Sequence, residues 1–62
     1  REEERVHVHV MGTTGEAKFW LDPKVELAVN HGLSTGEIRE ITAIIEGKRR
    51  EIEDAWREHF GR

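Results

Sequence analysis

The residues best suited to chemistry are two histidines two positions apart, His7 and His9 in "RVHVHV". Alternate residues of an extended strand share a face, so both imidazoles point to one side with their Cα atoms roughly 6.6 Å apart. Two such rings could share a zinc ion, but a structural zinc site needs four ligands and a catalytic site takes three from the protein. A lone His-x-His pair is therefore a weak metal motif.

Further metal ligands would have to come from elsewhere in the chain. Glu16 is expected on the same sheet face, and His31 or His59 could reach the pair from a helix or a second chain. The sequence contains no cysteine, which excludes thiolate ligands and disulfide bonds. We favour the alternative that the histidines are polar-face strand residues and that no cofactor is bound.

His7 and His9 also belong to a predicted contact surface with Lys18 and Trp20. Stacking on an aromatic side chain contributes about 1–3 kcal/mol per base, so single-stranded RNA is one conceivable ligand. The net charge of −3, with the acidic run Glu2–Glu4 just before the strand, opposes a polyanion. A protein partner fits at least as well, because interface cores favour Trp.

The segment that carries the histidines alternates strictly between two kinds of residue, and this period predicts a half-buried strand. A second alternating segment, Glu16–Leu21, follows the glycine-flanked turn Gly12–Gly15, so the two form a hairpin. A register shifted by one residue would mix apolar and polar residues on each face, so one register is strongly favoured. Its pairs are Met11 with Glu16, Val10 with Ala17, His9 with Lys18, Val8 with Phe19, His7 with Trp20 and Val6 with Leu21.

Two helices are predicted after the hairpin. Asp22 is a good N-cap and Pro23 suits the first helical position, so a short helix is expected from there to about His31. Ser34 and Glu37 have the spacing of a capping box, which predicts the start of a longer helix. Its apolar stripe consists of Ile38, Ile41, Ile45, Ile52, Trp56 and Phe60.

These elements predict one α+β domain over residues 1–62, a β-hairpin followed by a short helix and a longer C-terminal helix packed on one sheet face. The predicted core residues are Val8, Phe19, Leu21, Ile41 and Ile45.

The longer helix is too long for the sheet beneath it. About 25 helical residues span about 38 Å, whereas six-residue strands span about 20 Å. Either the helix bends at Gly47 and its end folds back, or the overhanging residues Ile52, Trp56 and Phe60 form an oligomer interface.

Composition also points to association. A 62-residue chain buries only about 60% of its unfolded surface, and here 35% of residues are hydrophobic and 37% charged. We therefore expect a homo-oligomer or a complex with a small protein partner. No apolar run approaches the length of a membrane span, so we expect a cytoplasmic protein without a membrane partner.

Several motifs together carry a family resemblance: His7-Val8-His9, "AKFWLDP" at Ala17–Pro23, "HGLS" at His31–Ser34, and "WREHF" at Trp56–Phe60. They cover nearly the whole chain, which resembles a family of small bacterial proteins of unknown function. The members usually have two prolines before the first histidine, where this chain has Arg5 and Val6. They also usually have an additional N-terminal strand, which this sequence lacks.

The resemblance implies one component of a toxin–antitoxin-like pair, since such genes often lie beside that of a second small protein. We therefore expect a small, non-catalytic protein-interaction module. The alternative is a metal-dependent or RNA-acting toxin enzyme centred on His7 and His9, with a divalent metal such as zinc as its cofactor.

Overall fold

Five elements follow one another in the structure, a computed structural model that describes residues 5–60 and, for Phe60, the backbone alone. They are β1 (His7–Met11), β2 (Glu16–Trp20), β3 (Glu26–His31), α1 (Thr35–Gly47) and α2 (Arg49–Phe60). The α+β class is confirmed. The acidic run Glu2–Glu4, the side chain of Phe60 and everything beyond it lie outside the described residues.

The hairpin of β1 and β2 has the predicted register, in which Val8 lies opposite Phe19 and His9 opposite Lys18. Two backbone hydrogen bonds determine which pairs exchange bonds. The Gly12 N–H donates to the Gly15 carbonyl at 2.8 Å, and the Leu21 N–H donates to the Val6 carbonyl at 3.0 Å. In an antiparallel ladder, hydrogen-bonded and non-hydrogen-bonded pairs alternate. Because Val6 and Leu21 form a hydrogen-bonded pair, Val8 and Val10 also lie in hydrogen-bonded pairs.

The histidines of β1 therefore occupy the non-hydrogen-bonded pairs, His7 with Trp20 and His9 with Lys18. Side chains approach each other more closely in such pairs. The ladder thus brings these polar side chains together across the outer face of the sheet.

The short helix predicted from Asp22 to His31 is wrong, because most of this segment forms the third strand, β3. The strand pairs with β2, for example Lys18 with Val29, and gives the sheet order β1-β2-β3. Helical capping signals are local, whereas β2 has a second edge of unpaired backbone groups that a neighbouring strand can satisfy. The pairing register of β2 with β3 shifts between Lys18 and Phe19, so that Lys18 pairs with Val29 but Phe19 pairs with Leu27.

A tight connection joins β3 to α1. Gly32, which directly follows β3, adopts a positive φ of 95°. The Asn30 side chain accepts the Leu33 N–H at 3.0 Å and donates to the Leu33 carbonyl at 2.9 Å. A Cβ on Gly32 would lie 2.6 Å from the Thr14 carbonyl oxygen, so the hairpin turn packs directly against this connection.

The predicted start of the longer helix is confirmed. Ser34 is the N-cap of α1, and its hydroxyl accepts the Glu37 N–H at 3.1 Å. The Glu37 carboxylate accepts the Ser34 N–H in return at 2.8 Å, which completes the capping box.

The predicted long helix is interrupted at Lys48 and forms two helices. α1 ends at Gly47, Lys48 leaves the helical conformation with φ −117° and ψ 16°, and α2 then folds back. Ile52 and Trp56 are partly buried against the core of their own chain. The helix end thus folds back near Gly47 onto its own chain, whereas an oligomer interface formed by Ile52, Trp56 and Phe60 stays a prediction.

The core lies between the inner sheet face and the helices. Its buried members are Val6, Ala17, Phe19, Leu21, Leu33 and Ile45. Of the predicted core residues, Phe19, Leu21 and Ile45 are confirmed, whereas Val8 and Ile41 are only partly buried. Val8 lies on β1, an edge strand, so a neighbouring strand covers it on one side only. Within residues 5–60, no helix combines the length and apolarity needed to cross a membrane.

Replacing Phe19 by Ala should unfold the domain or nearly so. The side chain is fully buried, and truncating a buried Phe costs about 3–5 kcal/mol, a large part of the stability of so small a domain. Urea denaturation followed by circular dichroism measures the loss. Met11→Ala is the matched control, because Met11 is 74% exposed and its truncation should change stability little. Equal midpoints for the two variants would contradict this core.

Candidate functional site: the aromatic and cationic face of the sheet

All four residues of the predicted contact surface lie on the outer face of the sheet. His7 and His9 come from β1, and Lys18 and Trp20 lie opposite them on β2. Arg5 joins them, since it precedes His7 by two residues and therefore shares its side of the chain. We call this set of five residues the polar sheet face.

Trp20 is the centre of the polar sheet face. The Arg5 guanidinium carbon lies 4.5 Å from the centroid of its ring, and the Lys18 ammonium nitrogen lies 4.4 Å from it. The two cations come from positions on opposite sides of the His7–Trp20 pair along the sheet, Lys18 from two residues before Trp20 on β2 and Arg5 from two residues before His7. Each such contact contributes about 0.5–1 kcal/mol at an exposed site.

Arg5 is held by more than the indole. Its Nε donates to the Asp22 carbonyl at 3.0 Å, and its Nη2 lies 3.9 Å from a carboxylate oxygen of Glu26. Both side chains of this ion pair are about half exposed, so the pair itself adds little stability. Sequence reasoning missed Arg5, although its two-residue spacing from His7 was a usable signal.

His7 connects the polar sheet face to α2. Its ring lies edge-on to Trp20, with centroids 6.0 Å apart, and 5.8 Å from the ring of Trp56. Its Nδ1 lies 2.8 Å from the Arg5 carbonyl oxygen, which can only accept, so Nδ1 carries the proton of this hydrogen bond. In the neutral ring, the lone pair is therefore on Nε2.

His9 is exposed and lines a depression of about 210 Å³ on the same face. Glu16 and His31, the ligands considered for a metal site, line it too, because they pair with each other across β2 and β3. His31 therefore reaches His9 from a strand, not from a helix as expected. Among residues 5–60, no group of three or more His, Asp or Glu side chains is arranged to hold a metal ion.

The chain was compared with known protein families, and it matches the Domain of unknown function (DUF4160) over residues 1–57. The chain belongs to this family. No curated protein and no solved structure matched it. The DUF4160 match includes all three strands, α1 and most of α2, so it contains the whole polar sheet face. The family description names no activity, and the function must be argued from this face.

Removing either cation should loosen Trp20. Lys18→Ala or Arg5→Ala should each lower stability by about 0.5–1 kcal/mol and make the indole easier to quench with acrylamide. Stability and quenching are both measured in a Trp56→Phe background, where Trp20 is the sole tryptophan. Lys24→Ala, in the exposed loop between β2 and β3, is the control and should leave quenching unchanged. Unchanged quenching in all three variants would show that the cations do not shield the ring.

Proposed function

We propose that this protein is a small non-catalytic interaction module that docks a protein partner on its polar sheet face. The observation that carries the proposal is Trp20, a half-buried indole that both Arg5 and Lys18 contact on the outer sheet face. Trp and Arg are the side chains most enriched among the energetic centres of protein interfaces. Here Trp20 already contacts Arg5 and Lys18, so these side chains lose less conformational entropy when a partner binds.

The same contacts favour a protein over single-stranded RNA. A base that stacks on the part of the Trp20 ring that Arg5 and Lys18 contact would have to displace them, whereas a protein side chain can contact the edges of this cluster as it stands. The net charge of −3 also opposes a polyanion. Beside the cations lie exposed apolar side chains, Met11 and Val29, which a protein surface can cover.

The partner chemistry follows from this arrangement. Carboxylates of the partner would pair with Lys18 and Arg5, and apolar side chains would cover Val29. The family resemblance suggests the partner itself, a second small protein encoded beside this one, so that the two form a toxin–antitoxin-like pair acting in the cytoplasm.

Charge reversal on the polar sheet face should break the complex. With the small protein of the adjacent gene as ligand, Lys18→Glu should weaken binding at least tenfold, and Trp20→Ala about 30-fold. Lys24→Glu makes the same charge change in an exposed loop and should bind like the parent. Isothermal titration calorimetry measures all four affinities, with circular dichroism to confirm folding. Full affinity in the Lys18 and Trp20 variants would refute docking on this face.

A second candidate function, an RNA-acting toxin enzyme centred on His7 and His9, is favoured by one observation. The hydrogen bond to the Arg5 carbonyl leaves the basic Nε2 of His7 available, and the His9 ring centroid lies 5.4 Å from that of His7. One imidazole could accept a proton and the other donate one during RNA cleavage.

RNA incubated with the untagged protein, with and without a chelator, tests this candidate. Our main proposal predicts intact RNA and, by elemental analysis, no stoichiometric metal. Cleavage that His7→Ala or His9→Ala abolishes and His59→Ala leaves unchanged would replace the interaction module with an enzyme. Loss of cleavage on chelation would make that enzyme metal-dependent.

A further inference from the structure

α1 and α2 are almost one helix. A single residue, Lys48, separates them, and its N–H donates at 3.1 Å to the carbonyls of both Ile44 and Ile45. The Ile52 N–H donates in turn to the Lys48 carbonyl at 3.0 Å. Helical hydrogen bonding therefore already reaches into the bend from both sides. A straight helix would add the i→i−4 bonds of residues 49–51, which begin a new helix in the bent form.

At the bend itself, the surrounding structure places little constraint on the backbone. A Cβ built on Gly47 meets no atom within 4 Å, so no neighbour holds this position. Lys48 is exposed, and its φ of −117° and ψ of 16° would each have to change by only about 55–60° to become helical.

α2 is attached to the rest of the chain by side chains. Ile52 and Trp56 pack against the core, and Trp56 contacts the His7 ring. At the start of the helix, the Arg49 guanidinium donates to the Pro23 carbonyl at 2.8 Å and lies 3.9 Å from the Asp22 carboxylate. The sheet and loop of a second copy offer the same groups in the same arrangement.

A straight helix cannot keep these contacts within one chain. From Thr35 to Phe60 it would span about 39 Å, which exceeds the 34 Å longest extent of the described fold. Ile52 and Trp56 would then leave the core and expose the surface that they cover. A second copy restores both sides at once if it straightens in the same way.

We propose that the protein forms a two-fold dimer by exchanging α2. In this dimer α1 and α2 are continuous through Lys48, and α2 of each protomer packs on the sheet of its partner. Trp56 of one protomer thereby contacts His7 on the polar sheet face of the other. The exchange keeps the contacts of the bent chain and loses mainly the freedom of separate molecules, so protein concentration sets the balance. It does not depend on the proposed docking of a different protein.

Substitutions at the bend test the exchange by sedimentation equilibrium. Lys48→Gly should weaken dimerisation about tenfold, because Lys48 is helical only in the exchanged form, each dimer contains two such positions and glycine disfavours a helix interior. Gly47→Ala should tighten dimerisation by at most about fivefold, because Gly47 ends α1 in the bent form and becomes an interior helical residue only in the continuous helix. Ala43→Gly is the matched control. It makes a similar change at an exposed position of α1 that is helical in both forms, so it should leave the dimerisation constant unchanged.

A charge-swap experiment separates exchange from any other dimer. Arg49→Glu and Asp22→Arg each put like charges at the start of α2 within one chain, while an exchanged heterodimer of the two variants has opposite charges at both contacts. Native mass spectrometry of the mixture should show more heterodimer than the half that random pairing gives.

Two outcomes would overturn the proposal. One is a wild-type protein and a Gly47→Ala variant that both remain monomeric at millimolar concentration. The other is a dimer that Lys48→Gly leaves unchanged and in which the charge variants pair at random, since such a dimer would use another surface.

Discussion

The structure depends on the register in which β1 pairs with β2, because this register decides which side chains share a face of the sheet. Because Val6 and Leu21 form a hydrogen-bonded pair, the inner face receives the valines, Phe19 and Leu21. The outer face necessarily receives the histidines, Lys18 and Trp20. A slip of one residue would turn every side chain to the opposite face and would remove the core and the polar sheet face together. Stability and the candidate function therefore rest on the same set of backbone hydrogen bonds.

Most of this arrangement was predictable from sequence because its signals are repeated. In the hairpin, turn residues, alternation and β-branched side chains all agree on one register. The start of α1 was predictable for a similar reason, since Ser34 and Glu37 satisfy each other within one helical turn. Length predicted that a straight helix could not stay on so short a sheet, but it did not decide between a bend at Gly47 and an end that packs on another chain.

The third strand was not predictable in this way, because its decisive partner is distant in sequence. Asp22 and Pro23 have helix-start chemistry, and local rules cannot weigh it against the free edge of β2. The same limit explains the polar sheet face. The residue types of His7, His9, Lys18 and Trp20 suggested a common surface, but the position of Arg5 depends on the Asp22 carbonyl across the sheet. His31 reached the depression beside His9 only because its segment is a strand.

The close packing of the hairpin turn on the connection before α1 sets a limit on how this domain can be modified. Gly15 and Gly32 face each other so closely that a Cβ on Gly15 would lie 2.8 Å from the Gly32 Cα. The two turns meet here backbone to backbone. Any side chain introduced at Gly15 or Gly32 would therefore force the two turns apart. Labels attached through side chains are better placed on exposed positions of α1, such as Glu40 and Ala43.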